Sequence, residues 1–362
     1  MSDDVNAKQG LPFNHLPTNL EGVHSLVPPP KGTDLTKADR ETLLKHGVWM
    51  RRPDPEREPK LFAMWHRYVT EIWTEENFVP PVFEATNDIP HNLKGTLVPT
   101  ANGYISSGGW SGVVTVGRWV GAMGMWQVPK ISAPSTLAGT MGVWQSSSWV
   151  GLDGGAGQIP GTTTTDVLQT GISQNIGNPS DGQSATPAYY AWYEWVVADL
   201  AAAVDHFHYV YPIKITSATV SPGDEISAIV QYVTHRGPFD PEPIPGRGPY
   251  HFGGVMLTNV TTGKPLVNLI LRPPPGASFA GDSAEWIMEC PGAAYDRSTL
   301  PQFSKVTFIN AGACNVNDAL PAANAGVALG RAAQITFQDF DGNVETSVSA
   351  GLATVTINYQ ST

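Results

Sequence analysis

Two stretches of sequence decide the fold of this chain, Trp149-Val-Gly-Leu-Asp153-Gly154 and Val167-Leu-Gln169-Thr-Gly171. Two later segments have the same character, Ala191-Trp192-Tyr193-Glu194-Trp195 and Ala284-Glu285-Trp286-Ile-Met-Glu289. We interpret each of the four as a β-strand or the end of one. Because successive side chains of a strand point to opposite faces, each segment places a carboxyl, an amide or an indole on one face of a sheet. Together they predict a polar site on an apolar wall.

The sequence around these segments favours an all-β fold. From Trp110 onward the apolar pattern has a period of two, and the chain is rich in Gly (37 residues) and Pro (31 residues). About a dozen strands at close spacing predict a two-sheet antiparallel β-sandwich of the jelly-roll kind. The predicted strands lie near residues 110–116, 119–129, 143–150, 165–171, 187–197, 208–219, 225–234, 252–259, 265–271, 283–289, 303–310, 333–339 and 344–358.

Charge divides the chain unevenly. The first hundred residues hold 11 of the 21 Lys and Arg and 14 of the 32 Asp and Glu, although they are little more than a quarter of the chain. We therefore predict a domain boundary near residue 100, with the β-sandwich in residues 101–362.

Residues 1–100 predict an extended arm followed by two helices. Residues 1–33 are rich in Pro, Asn and Gly, which indicates the arm. One helix is expected from Asp34 or Thr36 to about His46. A second, from Pro59 to about Glu75, carries a single apolar stripe that must pack on a partner surface. We expect this small helical extension to be a pro-segment that covers a cleft or a structural brace, with a partner-docking module as the third alternative.

At the four quoted segments the chain resembles the glutamic peptidases, or eqolisins. The family pattern is a W-V-G-[IL]-D-G strand, an L-Q-T-G strand with a catalytic glutamine, a W-Y-E-W strand, and an A-E-W-I strand with a catalytic glutamate. The resemblance covers about residues 105–360 and implies a β-sandwich endopeptidase that acts in acid on proteins or peptides. It implies that Gln169 and Glu285 are the catalytic dyad.

The resemblance also implies roles for neighbouring residues. Trp149, Trp192 and Trp286 would exclude water and form a platform for an extended peptide, while Asp153 and Glu194 would orient the dyad. Core packing is the alternative for each tryptophan, and a structural hydrogen bond is the alternative for each carboxyl. The chain departs from the family at Tyr190, where an aspartate is common.

The two dyad residue types suit peptide hydrolysis in acid. A glutamate with an ordinary pKa of about 4.3 is partly ionised in mild acid, so Glu285 can take a proton from water and return it to the leaving nitrogen. Gln169 does not titrate, and its NH₂ group can donate to an oxyanion at any pH. The alternative is a non-catalytic jelly-roll module that binds carbohydrate or peptide.

Several other classes lack their sequence features. The sequence has no basic stripe for nucleic acid and no apolar run of membrane-spanning length. It also has no secretory signal, so the sequence by itself favours an intracellular protein, although the resembled family is mainly secreted. Cys290 and Cys314 allow at most one disulfide, or two free thiols. We expect no cofactor. The oligomeric state stays open.

A metal site is the weaker competing prediction. His206 and His208 would share one strand face, with His251 as a third ligand. The sequence contains no His-Glu-x-x-His, Gly-x-Ser-x-Gly or Asp-[Thr/Ser]-Gly motif, so zinc, serine and pepsin-type peptidases are not indicated. We therefore expect no metal.

Overall fold

The fold is seen in a computed structural model, which describes residues 13–86, 95–134, 143–177, 182–197, 211–233, 252–274, 276–277, 280–292, 300–314, 329 and 332–360. Two large twisted sheets pack face to face, which confirms the predicted β-sandwich. Among the strands of the described residues, the pairing is antiparallel except for one parallel pair, β5 with β19. Among the described residues, no helix is long and apolar enough to cross a membrane.

The strands follow the chain in this order: β1 His15–Pro17, β2 Val23–Leu26, β3 Phe83–Ala85, β4 Leu97–Thr100, β5 Gly103–Ser106, β6 Trp110–Val116, β7 Gly121–Gln127, β8 Ile131–Ser132, β9 Val143–Leu152, β10 Val167–Gly177, β11 Ala188–Val196, β12 Ile213–Ile215, β13 Glu225–Val233, β14 Phe252–Asn259, β15 Lys264–Leu271, β16 Ser283–Glu289, β17 Gln302–Phe303, β18 Val306–Cys314, β19 Ala333–Phe337, β20 Thr346–Ala350 and β21 Thr354–Tyr359.

One sheet has nine strands and the other ten. The order in the nine-stranded sheet is β1-β2-β15-β14-β13-β7-β18-β21-β20. The order in the ten-stranded sheet is β3-β12-β11-β10-β9-β16-β6-β19-β5-β4. Strands β8 and β17 form a separate pair. The four sequence segments that opened the analysis are β9, β10, β11 and β16, which are neighbours in the ten-stranded sheet.

The described part of the N-terminal arm, residues 13–33, and two later segments of the first hundred residues belong to the sheets. Strand β2 pairs with β15 of the nine-stranded sheet, and β1 pairs with β2. Strand β3 pairs with β12 at the other sheet, where β4 also pairs with β5. The prediction of an extended arm in residues 1–33 gave no indication of these pairings, because a strand of three or four residues is too short to show a period.

The first predicted helix is shorter than expected. It spans Arg40–Lys45, and its N-cap is Asp39, whose side chain accepts a hydrogen bond from the backbone N–H of Thr42. Asp34 instead accepts from the backbone of Thr36 within a turn. The end was predicted correctly: Gly47 follows the helix with φ +70°, a conformation that glycine adopts without a steric penalty.

The second helix begins at Pro59 as predicted. It is α-helical over Pro59–Arg67 and continues as a π-helical turn over Tyr68–Ile72, three residues short of the predicted end. Its buried stripe is Leu61, Trp65, Tyr68, Val69 and Ile72. This stripe packs towards the outer face of the nine-stranded sheet, where Asn268 Nδ2 lies 3.5 Å from the Tyr68 hydroxyl. The N-terminal helices thus form a third layer over the sandwich.

The main core lies between the two sheets and continues under the N-terminal layer. A second, smaller cluster of buried apolar side chains lies on the opposite face of the ten-stranded sheet. Cys290 and Cys314 are both buried and are not joined in a disulfide.

Candidate active site

Gln169 and Glu285 lie in one row across the ten-stranded sheet. Gln169 on β10 is directly opposite Gly151 on β9, and Glu285 on β16 is directly opposite the same Gly151 from the other side. Directly opposed residues of antiparallel strands point to the same face. The side chains of Gln169 and Glu285 therefore share a face and are separated at the backbone by two strand spacings, about 10 Å.

Gly151 keeps the space between the two side chains open. A Cβ atom at this position would lie 3.3 Å from Glu285 Oε2 and 2.8 Å from the Trp149 ring. The Glu285 carboxyl thus leans over Gly151 towards β10, which is the direction of Gln169.

Glu285 is a fully buried carboxyl. Within the described residues neither of its oxygens has a hydrogen bond of good geometry. Burial is the main reason that its pKa is raised well above the ordinary value. The charges of Asp153 and Asp282 act in the same direction, and the Ser283 hydroxyl acts against them. Glu285 therefore holds its proton more tightly than an exposed glutamate does.

Glu194 fixes the amide of Gln169. The two residues are direct partners on β11 and β10, and Gln169 Nε2 donates to Glu194 Oε2 over 3.0 Å. A primary amide carries two N–H donors. With one of them directed at Glu194, the orientation of the other donor and of the amide oxygen is set.

An apolar cluster continues from the dyad along the same face. Trp149 and Trp192 lie on either side of Gly171 in the next row of the sheet. The indole of Trp149 donates to Glu289 Oε2 over 2.8 Å, and that of Trp192 donates to the Ser147 hydroxyl over 2.9 Å. Buried polar partners thus hold both indoles in one orientation, in the row next to Gln169; their part in a peptide platform stays a prediction.

The prediction for Trp286 is wrong. Strand alternation directs it to the face opposite Glu285, into the core between the two sheets. There its indole donates to the backbone oxygen of Met123 over 2.7 Å. Trp286 is a core residue and cannot contribute to a platform beside the dyad.

Asp153 organises the turn that leads into β16. Its Oδ2 accepts from the Tyr232 hydroxyl (2.7 Å) and from the backbone N–H groups of Ala280 and Gly281, while Oδ1 accepts from Asp282 N–H. Burial raises the pKa of Asp153 to about 6, although these hydrogen bonds oppose the shift. Asp153 contacts neither Gln169 nor Glu285 in these bonds, and it acts on Glu285 through its charge and through the start of the strand.

The dyad is covered in this structure. Gln169, Glu194 and Glu285 are all fully buried. Ile159 belongs to the buried cluster on this face, and Leu97 and Tyr104 from the β4–β5 hairpin pack against it. Gln158 Nε2 donates to the backbone oxygen of Gly95 over 2.7 Å, which joins the loop after β9 to the segment before β4.

Histidines 206, 208 and 251, the predicted competing metal ligands, lie outside the described residues. The described part of the chain contains no group of three or more His, Cys, Asp or Glu side chains that could hold a metal ion.

The sequence analysis missed three residues of this face. Gly151 provides the gap, Glu289 holds Trp149, and Trp110 packs edge-to-face on Trp149 with ring centroids 5.0 Å apart. Alternation along β16 carried the signal for Glu289, because residues 285, 287 and 289 must share a face. The contact of Trp110 with Trp149 depends on the order of strands, which a single sequence does not give.

A family model, the Peptidase A4 family, matches residues 108–239 and 247–359. These two ranges make up more than half of the chain and include every residue of the row described above. No curated protein matches the chain closely enough to be counted as a relative.

Among solved structures, the chain is similar to scytalido-glutamic peptidase with a transition state analog inhibitor, at 21% identity and a TM-score of 0.47, over 70% of this chain and 98% of that one. It is similar to SCP-B, of the eqolisin family, in a complex with the tripeptide Ala-Ile-His, at 21% identity, a TM-score of 0.44 and the same coverage. Aspergilloglutamic peptidase from Aspergillus niger is 24% identical, with a TM-score of 0.41, over 60% of this chain and 99% of that one.

Proposed function

The chain belongs to the Peptidase A4 family, the glutamic endopeptidases, and on that premise we propose that Gln169 and Glu285 are its catalytic dyad. The observation that supports this role is the row in which both residues flank Gly151 on one face of the sheet. The family assignment makes the protein a hydrolase of peptide bonds, as the sequence predicted. The roles of the two side chains are the proposal.

In the proposed reaction Glu285 acts first as a base and then as an acid. Its carboxylate takes a proton from a water molecule as the water oxygen bonds to the peptide carbon. The Gln169 N–H that is not directed at Glu194 donates to the carbonyl oxygen, which becomes an oxyanion. Glu285 then passes the proton to the peptide nitrogen, the C–N bond breaks, and a carboxylic acid and an amine are released.

Substrate entry requires the cover to move. Opening of the β4–β5 hairpin and of the loop after β9 would let water reach Glu285. Because burial is the main cause of its raised pKa, hydration returns that pKa towards the ordinary value of about 4.3. The carboxylate needed as a base would then form in mild acid.

The test is digestion of an acid-denatured protein substrate by wild type, Glu285→Gln and Gln169→Ala. We expect wild type to cleave the substrate at acid pH, and we expect the cleavage rate to fall by at least about 10³-fold in both variants. Glu345→Gln is the matched control, since Glu345 is also a buried carboxyl but lies away from the row. Unchanged cleavage by Glu285→Gln would exclude the dyad. Peptide or sugar binding by a wild type that does not cleave would favour the binding-module alternative.

We also propose that residues 1–100 stay attached as a structural brace. Strands β2 and β3 pair with β15 and β12 of the sandwich. The buried Trp49 indole donates to Asn268 Oδ1 over 2.9 Å, and Asn268 in turn donates to the backbone oxygen of Gly47. N-terminal sequencing during an acid incubation tests this: an unchanged N-terminus at full activity is expected, and cleavage near residue 100 before activity appears would establish a pro-segment.

A further inference from the structure

A cavity of about 570 Å³ lies between the second N-terminal helix and the outer face of the nine-stranded sheet. This face is on the far side of the sandwich from Gln169 and Glu285. The cavity is lined mainly by apolar side chains, among them Met50, Met64, Tyr68, Ile72, Met125 and Met256. Its volume lies within the range of about 300–1,000 Å³ that is usual for sites of small molecules. Methionine side chains adapt to flexible apolar ligands because they are unbranched and polarisable.

The floor of the cavity is a row of side chains across four strands. Thr258 is opposite Ser227, Ser227 is opposite Met125, and Met125 is opposite Ile309. The Thr258 hydroxyl is buried and has no hydrogen-bond partner among the described residues. A buried hydroxyl without a partner costs free energy, and a ligand in the cavity can supply that partner. At the end of this row Ile309 is 40% exposed and borders the cavity.

Two cationic residues line the cavity. Lys60 and Arg67 lie seven residues apart on the same helix, and the one acidic residue of the lining is Glu225. Arg67 Nε is 3.5 Å from Glu71 Oε2, a pair in which both side chains are well exposed and which is therefore weak. The cavity lining is thus net positive on a chain whose net charge is −11 at pH 7.

We propose that this cavity binds an aliphatic carboxylate of the fatty-acid class. The methionine-rich interior would take the hydrocarbon chain, and Lys60 and Arg67 would take the carboxylate, for which a guanidinium is a suitable partner. The helix that forms one wall lies outside the residues matched by the family model. The site is therefore formed by the N-terminal addition together with the sandwich, and neither Gln169 nor Glu285 lines it.

The first experiment compares two probes that differ only in charge. Isothermal titration of the full chain with dodecanoate at pH 7.5, below its micelle concentration, should give one site. Dodecanol should bind at least about tenfold more weakly, since it lacks the ion pairs. Equal binding of dodecanol would overturn the proposed carboxylate recognition, and no binding of dodecanoate would overturn the site.

The second experiment tests the location. The double variant Lys60→Gln with Arg67→Gln should bind dodecanoate about tenfold more weakly than wild type and should bind dodecanol with unchanged affinity. Lys37→Gln with Lys45→Gln is the control, because it removes the same charge from the N-terminal layer outside the cavity lining and should leave both probes unchanged. Equal weakening of dodecanoate by the two double variants would show that only net charge matters, contrary to the proposal.

A third variant closes the cavity without disturbing the core. Ala63 lines the cavity and is exposed, so Ala63→Trp adds a large ring there at little risk to folding. We expect at least tenfold weaker dodecanoate binding with an unchanged melting temperature of the free protein. Wild-type affinity in Ala63→Trp would place the bound probe elsewhere and contradict the assignment.

Discussion

Gln169 and Glu285 are joined through a residue that has no side chain: each is the direct register partner of Gly151, one from β10 and the other from β16. The sheet itself therefore fixes their separation. Neither residue depends on a loop for its position, and sites built on strands are held more closely than sites built on loops.

Gly151→Ala should reduce activity strongly without unfolding the protein. The new methyl group would lie 2.8 Å from the Trp149 ring and 3.3 Å from Glu285 Oε2, so the ring must shift and the carboxyl is displaced from its position over Gly151. A displacement of about 1 Å at reacting groups can cost about 10²-fold in rate, and we expect a fall in kcat of that size. Steady-state kinetics on a peptide substrate measures it.

The control for this variant is Gly124→Ala. It places a methyl group 3.0 Å from Trp286, inside the core, so it creates similar crowding away from the dyad. It should lower stability while kcat stays within about twofold of wild type. A similar kcat for the two variants would contradict the proposed role of the gap.

Glu194→Ala should lower kcat by about 10–10²-fold with little change in KM. Loss of the 3.0 Å bond frees the Gln169 amide to rotate, so that its donor is no longer held towards the oxyanion. Glu194→Gln retains an acceptor oxygen at the same position and should recover part of the rate. If both variants have wild-type kcat, Glu194 is a structural partner only.

Trp286 and Trp149 should respond differently to the same change. Trp286→Phe removes the 2.7 Å bond to Met123 in the core and should lower the free energy of unfolding by about 1–3 kcal/mol, with KM within about twofold of wild type. Trp149→Phe alters the face beside the dyad and should raise KM several-fold. Urea denaturation measures the stability of both variants, and peptide kinetics measures their KM. A large change in KM for Trp286→Phe would show that Trp286 contributes to the active site.

Glu345 should make the fold more stable in acid than at neutral pH. Burial raises the pKa of its carboxyl to about 7, so its stabilising contribution is complete below its ordinary pKa of 4.5 and is lost as the pH rises through 7. The difference is on the order of 3 kcal/mol. Glu345→Gln can still accept from Leu300 N–H and carries no charge, so its stability should match wild type at pH 4 and exceed it at pH 8. Parallel stability–pH curves for the two proteins in urea denaturation would contradict this.

The sequence was sufficient for the sandwich because short segments rich in apolar and β-branched residues recur along it between turn residues. Segments such as Trp110–Val116 and Phe252–Asn259 have the predicted bounds, since strand composition and turn residues are local properties. The same features were enough to place Gln169 and Glu285 on strands. Trp286 was misplaced because it was taken with the preceding Glu285, although adjacent strand residues point to opposite faces.

What could not be predicted depends on neighbours that are distant in the chain. Gly151 separates the two dyad residues only because β10 and β16 flank β9. The order of strands in a sheet cannot be predicted from the sequence of any single segment. The raised pKa of Glu285 results from burial beneath side chains of other strands. The shortened first helix is a local error: Asp39 competes with Asp34 as a cap, and both are suitable residue types.

The order of the strands has a consequence for any shortened form of the protein. Of the four strands that terminate the two large sheets, three (β1, β3 and β4) come from the first hundred residues. Removal of the first hundred residues would also remove β2, the partner of β15. The backbone of β15, whose residues 266–271 are buried and mostly apolar, would then become an exposed hydrogen-bonding edge. Such edges recruit strands from other molecules. A shortened protein that lacks residues 1–100 should therefore aggregate by strand pairing between molecules. This aggregation should occur before the geometry of its own active site is lost.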